Sequence, residues 1–233
     1  MGERQENQVE NQTGEQTDSP GEEPGKGGDG LIAGVVDLLG GFARRREHRR
    51  ENRDRGLLIE NKGGIEKLEL PPGFARSGGM SVPGFEFDEY QSPASNTMKI
   101  GYWNWAKPGS ELPDEVADGF KRILSEKPHD LTQEEIDIAA RVVPGGVYGH
   151  AGQIENIRLR TEEVGGKKVL VMINSWVGED RTAYGIFAPV GEDCRFREHI
   201  HFEGSERDFK KHWDGEVKKQ LYGVEWREEK SEK

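Results

Sequence analysis

Residues 169–177 read Val-Leu-Val-Met-Ile-Asn-Ser-Trp-Val, so a strand with this sequence is apolar on both of its faces. A strand of this kind lies inside a sheet and needs a covering layer on each side. The pair Gly165-Gly166 stands just before it, and consecutive glycines suit the positive φ angles of a two-residue hairpin turn. The chain is therefore predicted to contain a sheet covered on both faces, with a hairpin leading into its central strand.

Strand and turn patterns continue on both sides of this strand. Four strands are predicted to form a meander, at 154–163, 167–177, 182–188 and 195–203. A helix follows with Ser205 as its N-cap, and its apolar face is formed by Phe209, Trp213, Val217, Leu221 and Val224. Four antiparallel strands followed by an amphipathic helix predict an α+β fold in which the helix packs on the sheet.

Two further strands are predicted before the meander, at 85–90 and 98–105. The second carries Trp103 and Trp105 on one face. Its aromatic residues predict either the core of a strand buried on both sides or a wall on which a ligand stacks.

Two helices are predicted between these strands and the meander. One begins near Pro113, which suits the first turn of a helix. The other begins at Thr132, and Glu135 completes a capping box with it. We therefore expect a single α+β domain over residues 82–227.

The outer parts of the chain lack the apolar residues that a core requires. Residues 1–30 have Val9 as their only aliphatic side chain, which predicts a disordered acidic tail. In the region 31–81, residues 56–81 contain Gly-Gly and Pro-Pro-Gly breaks and are interpreted as a Gly/Pro-rich linker. Residues 228–233 are interpreted as a short charged tail.

Residues 31–55 combine an apolar helical face with a run of arginines. The residues that define this segment are Leu31, Ile32, Val35, Leu39, Phe42, Arg44, Arg45 and Arg46. An apolar face that leads into cations is typical of a helix at an anionic membrane surface or on a protein partner. The alternative is a helix that docks on the chain's own domain with its charged half in solvent. Nucleic acid is not expected as a partner, because the net charge is −11 and acids interrupt the arginine run.

His199 and His201 form the sharpest candidate for metal chemistry. Histidines at alternate positions of a strand share a face and can reach one metal ion, and His212, Cys194 and Glu203 are near them in sequence. The same alternation places two arginines on that face, and arginines repel a cation. We therefore interpret this face of the strand as charged and exposed to solvent, with metal binding as the alternative.

Three other patterns suggest chemistry less directly. Cys194 with His199 as its base would form a nucleophile pair, but no nucleophile motif surrounds the cysteine. The acidic pairs Glu134-Glu135 and Glu192-Asp193 have the character of surface residues. The glycine-rich run 145–152 follows a predicted helix and precedes a predicted strand, the reverse of the order that a phosphate-binding loop requires. No cofactor is predicted.

The C-terminal third of the chain resembles the PsbP-like/Mog1 group. The residues that carry the resemblance are the meander from Ile154 to Phe202, the pattern Phe209-x3-Trp213-x3-Val217-x3-Leu221, and the ending Val224-Glu225-Trp226. The resemblance implies an α/β/α sandwich built on an antiparallel sheet. Members of that group act as binding or assembly factors on photosystem subunits or small GTPases and share no catalytic residues, so no site residue is transferred.

The predicted function is that of a non-enzymatic binding or accessory module, whose N-terminal arm docks on a protein partner or a membrane surface. The alternative is a metal- or small-molecule-binding protein, an enzyme included, that uses His199 and His201. The single cysteine and the absence of a secretory pattern at the N-terminus predict a cytoplasmic location.

Overall fold

The computed structural model describes residues 56–143 and 154–227 of the chain. The strands in these ranges are β1 (Gly56–Lys62), β2 (Ile65–Pro72), β3 (Ala75–Val82), β4 (Phe85–Gln91), β5 (Lys99–Asn104), β6 (Ile154–Val164), β7 (Lys167–Trp176), β8 (Thr182–Val190), β9 (Phe196–Gly204) and β10 (Glu225–Trp226). The helices are α1 (Asp114–Ser125), α2 (Gln133–Val142), α3 (Glu206–His212) and α4 (Lys218–Tyr222), and a π-helical turn (Trp213–Val217) joins α3 to α4. The predicted α+β fold is confirmed.

Seven strands form one antiparallel sheet in the order β3-β4-β5-β9-β8-β7-β6, and β1, β2 and β10 form a second sheet. The large sheet contains two meanders, β3-β4-β5 and β6-β7-β8-β9. They join where β5 pairs with β9, with Trp103 opposite His199 and Gly101 opposite His201. The predicted four-stranded meander is therefore present as one half of a larger sheet.

Gly165 and Gly166 form the hairpin turn between β6 and β7, as predicted. Their φ angles are 58° and 76°, which glycine adopts without strain. Val169, Leu170 and Val171 on β7 are fully buried, although consecutive side chains of a strand point to opposite faces. The prediction that this strand is covered on both sides is thus confirmed.

Helices α1 and α2 cover one face of the large sheet. The predicted capping box is present at the start of α2, where the Glu135 carboxylate accepts a hydrogen bond from the Thr132 amide at 2.8 Å. The residues buried in this layer include Val116, Phe120, Ile123, Ala139, Ala140, Leu159, Leu170 and Phe187. The sheet residues among them lie on β6, β7 and β8, so α1 and α2 pack over that side of the sheet.

The C-terminal helical segment packs on the opposite face together with the small sheet. Apolar residues spaced four apart drift around an α-helix of 3.6 residues per turn. The π-helical segment has more residues per turn than an α-helix and therefore counters this drift. As a result Trp213, Val217 and Leu221 are all buried. The predicted packing of this helical face on the sheet is confirmed. In the two ranges that the structure describes, no helix is long and apolar enough to cross a membrane.

A buried carboxyl group on β9 contacts the turn between β1 and β2. Glu198 is 1% exposed, and its Oε1 accepts a hydrogen bond from the Gly64 amide. The Tyr102 hydroxyl donates to the Lys62 carbonyl at 3.2 Å. Burial raises the pKa of Glu198 to about 7, although the Gly64 amide and Tyr102 favour the carboxylate. Gly63 has φ 55°, and a Cβ there would lie 2.0 Å from the Tyr102 hydroxyl oxygen, so the turn requires glycine.

The predicted linker over residues 56–81 is wrong, and the ordered domain does not begin at residue 82. These residues form β1, β2 and most of β3. The glycines that suggested chain breaks include Gly63 and Gly73, which lie in the turns between strands and have positive φ angles. Ile65 and Leu68 are buried in the core shared with the C-terminal helical segment.

Residues 1–55, 144–153 and 228–233 lie outside the described residues. The acidic tail, the docking segment at 31–55 and the charged C-terminal tail therefore stay predictions.

Candidate functional site

A pocket of about 340 Å³ lies on the face of the large sheet that α1 and α2 partly cover. Strands β5, β7, β8 and β9 supply most of its walls. Its lining residues are Trp103, Trp105, Val143, Ile154, Met172, Asn174, Trp176, Ala183, Gly185, Phe187, His199, His201 and Glu203. A largely apolar cavity with a few converging polar groups is the usual form of a small-molecule site.

Two glycines make a hollow in the sheet beneath the pocket. Gly101 on β5 and Gly185 on β8 pair with His201 from either side. A Cβ at Gly101 would lie 2.4 Å from Trp103 Cζ3 and 2.6 Å from His201 Cε1, and a Cβ at Gly185 would lie 2.9 Å from His199 Nε2. Neither glycine has a positive φ angle. The space taken by the neighbouring rings, rather than the backbone conformation, therefore requires glycine at both positions.

Aromatic rings from neighbouring strands stack across the pocket floor. Trp103 stacks on Phe87 at 4.6 Å between ring centroids, on His201 at 4.4 Å and on His199 at 4.9 Å. Phe187 stacks on His199 at 4.1 Å with the two ring planes 9° apart. Because these rings cover one another's faces, the row presents ring edges to the pocket, and edge-to-face contact suits the flat face of a ligand.

Three ring nitrogens of the lining are buried and have no hydrogen-bond partner within residues 56–143 and 154–227: Trp105 Nε1, His199 Nε2 and His201 Nδ1. Buried polar atoms are nearly always hydrogen-bonded, because leaving one unpaired costs about 1–3 kcal/mol. Burial, assisted by the charges of His201 and Arg197, holds the pKa of His199 well below its usual range, so this imidazole is neutral at neutral pH. The lining thus offers an indole donor and imidazole nitrogens to a ligand.

Glu203 is the acidic residue of the lining, and Arg181 lies beside it and against Trp176. The Arg181 guanidinium carbon lies 3.9 Å from the centroid of the Trp176 ring, and its Nη1 lies 3.9 Å from Glu203 Oε2. His201 Nε2 lies 3.7 Å from the same oxygen. Burial pushes the pKa of Glu203 up, but His201 and the Arg181 charge outweigh it and hold this pKa below its usual value. Glu203 is therefore ionised and its charge is balanced by its neighbours.

The prediction that His199 and His201 lie on a solvent-exposed face is wrong. The alternation is as predicted, since Arg197 and both histidines share one face of β9. Arg197 is 7% exposed and both histidines are half-buried, because β5 pairs with β9 and places Trp103 beside the histidines. Trp103 and Trp105 line the pocket, as expected for the alternative in which these residues form a wall on which a ligand stacks.

Among the described residues, His199 and His201 do not form a compact three-ligand group, although Glu203 Oε2 lies 3.7 Å from His201 Nε2. Their ring centroids are 5.5 Å apart. They belong to no described group of three His, Cys, Asp or Glu residues whose ligand atoms lie within 4.8 Å of one another. Metal binding by this pair stays a prediction.

Glu126, His129 and Glu135 do form such a group within the described residues. Glu135 caps α2, and its Oε1 lies 3.0 Å from His129 Nε2. The Lys127 carbonyl, followed by Glu135, raises the pKa of His129. An ion pair at the start of α2 accounts for this arrangement without a metal.

The remaining candidates lie away from the pocket. Cys194 is buried in the core beneath α1 and α2 with φ 55°, at the turn from β8 to β9. Glu134 is exposed and its carboxylate lies 3.4 Å from Arg122, and Glu192 is exposed in the same turn as Cys194. The glycine-rich run 145–152 falls outside the described residues.

Sequence analysis missed Asn174, Trp176 and Gly185 as pocket residues. A usable signal was present, because Gly101 lies between Ile100 and Tyr102 and Gly185 lies between Tyr184 and Ile186, all of them bulky residues. An isolated glycine inside a strand marks a place where another group approaches closely. Asn174, which is 3% exposed, likewise interrupts the apolar run of β7.

Comparisons of the sequence with protein-family models and with curated proteins found no match. The resemblance to the PsbP-like/Mog1 group therefore stays a prediction, and the pocket is interpreted from its own geometry.

Proposed function

We propose that the protein is a non-enzymatic binding module whose pocket takes a planar, largely apolar small molecule. The observation that carries the proposal is the cavity of about 340 Å³ in which stacked indole and imidazole rings meet buried, unpartnered ring nitrogens. The stacked rings would hold the flat face of the ligand, and the ring nitrogens would bind its polar group.

The size and lining of the pocket narrow the class of ligand. Ligand pockets commonly measure roughly 300–1,000 Å³, so this cavity suits a small compound. The unpartnered donor of Trp105 favours a ligand that carries a hydrogen-bond acceptor.

The lining also argues against covalent catalysis by a hydroxyl, thiol or amine group. Its described residues include no Ser, Thr, Cys or Lys, the side chains that supply hydroxyl, thiol or amine nucleophiles. Cys194, the predicted alternative nucleophile, lies in the core beneath α1 and α2.

Titration of the full-length protein with naphthalene-2-carboxamide by isothermal calorimetry tests the proposal. The wild type is expected to bind this neutral planar probe. Trp103→Ala is expected to weaken binding about tenfold, since stacking on an aromatic side chain contributes roughly 1–3 kcal/mol. Trp226→Ala is the matched control, because Trp226 lies outside the pocket and its Nε1 donates to the Val164 carbonyl at 2.8 Å.

A second readout ties binding to the pocket. Indole N–H resonances of Trp103, Trp105 and Trp176 are expected to shift on addition of the probe, while that of Trp226 stays in place. Equal affinity of Trp103→Ala and wild type, or probe binding that moves only the Trp226 resonance, would overturn the proposal.

The proposal retains the predicted arm at 31–55 as the element that brings the module to a protein partner or a membrane surface, in the cytoplasm. Its support is the sequence pattern of an apolar face beside Arg44, Arg45 and Arg46. Co-sedimentation with anionic vesicles of phosphatidylserine and phosphatidylcholine, with and without residues 31–55, tests the membrane part. Equal pelleting of the two proteins would exclude membrane binding by the arm and leave docking on a protein partner as its proposed role.

A further inference from the structure

Arg197 lies buried beside the pocket without an acidic partner among the described residues. It is 7% exposed and stands two residues before His199 on the same face of β9. Its Nη1 lies 3.4 Å from the Ser110 carbonyl oxygen, and its guanidinium carbon lies 5.4 Å from the centroid of the Trp105 ring. Its Nε is buried and has no hydrogen-bond partner in the part of the chain that the structure describes.

A buried arginine is normally paired, because removing its charge from water is costly unless an anion compensates it. Burial lowers the pKa of Arg197 to about 10, which still leaves the guanidinium charged at neutral pH. A buried cation with an unused N–H donor therefore indicates that Arg197 pairs with an anion that the described residues do not supply.

The cleft around Arg197 suits such an anion. It measures about 350 Å³, and Trp105 lines both this cleft and the aromatic pocket. Pro113, the N-cap residue of α1, borders the cleft and supplies no side-chain cap. Backbone N–H groups at a helix N-terminus favour negative charge, and Asp114 and Glu115 supply part of it in the first turn.

The other charged groups of the cleft already have partners. Arg141 Nη2 lies 2.5 Å from Glu115 Oε1, and Glu111 Oε2 accepts a hydrogen bond from the Gly109 amide at 2.7 Å. Arg197 is thus the cation of the described cleft that lacks a carboxylate.

We propose that Arg197 anchors a carboxylate-binding subsite and that the ligand of the pocket is a planar aromatic carboxylate. The ring system stacks in the pocket, and the carboxylate passes Trp105 to reach the guanidinium. Nε and a terminal nitrogen of an arginine form a fork that matches the two oxygens of a carboxylate. This inference rests on the proposed function, since the pocket holds the rest of the ligand.

Two probes, 2-naphthoate and naphthalene-2-carboxamide, have the same ring system and differ in the charge of their polar group. Comparing them isolates the contribution of the carboxylate charge to binding. By calorimetry at fixed salt, the wild type is expected to bind 2-naphthoate about tenfold more tightly than the carboxamide. Arg197→Gln is expected to remove this advantage, so that the two probes bind this variant with equal affinity. Arg195→Gln is the matched control, because Arg195 is exposed and its Nη2 lies 2.9 Å from Asp114 Oδ1.

The outcomes separate this inference from the proposed function. Equal affinities of the wild type for the two probes, or an unchanged 2-naphthoate affinity in Arg197→Gln, overturn the subsite and leave the pocket intact. Failure of both probes to bind the wild type overturns the proposed function and this inference with it.

Arg197→Lys covers the case in which the glutamine variant does not fold. Lysine keeps the charge but loses the two-pronged contact, so the 2-naphthoate affinity is expected to fall about threefold or more relative to the carboxamide affinity of the same variant. Undiminished 2-naphthoate affinity in Arg197→Lys overturns the two-pronged subsite.

Discussion

Replacing Glu198 by glutamine is expected to remove part of the pH dependence of stability. Glu198 is 1% exposed, and its Oε1 accepts a hydrogen bond from the Gly64 amide, while its Oε2 has no hydrogen-bond partner among the residues described. Glutamine has the same shape and keeps an acceptor for that amide, but it does not ionise. The substitution therefore tests the charge of the buried carboxyl group with little change in packing.

The size and sign of the effect follow from the pKa of Glu198, which folding raises from 4.5 to about 7. Folding favours the protonated form of such a group, so its contribution to stability is fully present below pH 4.5 and is lost as the pH rises to about 7. At about 1.4 kcal/mol per pKa unit, the whole contribution is about 3.4 kcal/mol. Of this, about 2 kcal/mol is lost between about pH 5.5 and pH 8.5.

Urea unfolding at these two pH values provides the assay. We take a denaturant slope of about 2 kcal/mol/M. The urea midpoint of Glu198→Gln minus that of wild type is then expected to be about 1 M larger at about pH 8.5 than at about pH 5.5. Glu206→Gln is the control, because Glu206 is exposed and its pKa is lowered by Lys210, so it stays ionised over this range. A difference between Glu198→Gln and wild type that is the same at both pH values would refute the reasoning.

Leu221→Asp is expected to abolish cooperative unfolding, because Leu221 is fully buried and an unpaired charge there is very costly; a melting curve like that of wild type would contradict this packing. Gly63→Ala is expected to cost about 1–3 kcal/mol in urea unfolding. The reason is that a Cβ there would meet a buried tyrosine hydroxyl, whereas Gly166→Ala, with open space around it, is expected to cost less. His129→Gln is expected to lower the urea midpoint at pH 5.5 more than at pH 8.5. The Lys127 carbonyl raises the pKa of His129, so the stability it adds is fully present below pH 6.5 and is lost as the pH rises through the raised value; a pH-independent loss would exclude this.

The local elements of the fold could be predicted because the interactions that form them span only a few residues. The Gly165-Gly166 turn needs only two residues that accept positive φ angles, and the capping box of Thr132 and Glu135 closes within one helical turn. The β1–β2 hairpin was missed for a related reason. Its glycines mark turns as readily as they mark a linker, and the difference depends on the core against which Ile65 packs.

The sequence by itself determined which side chains share a face, and the tertiary structure decided what those faces meet. Alternation along β9 placed Arg197, His199 and His201 together, but it carried no information on which strand lies beside β9. The pairing of β5 with β9 joins residues about a hundred positions apart and brings Trp103 onto both histidines. Strand pairing over such a distance depends on the whole sheet and its covering layers rather than on local pattern, and it turned a face predicted to be in solvent into the wall of a pocket.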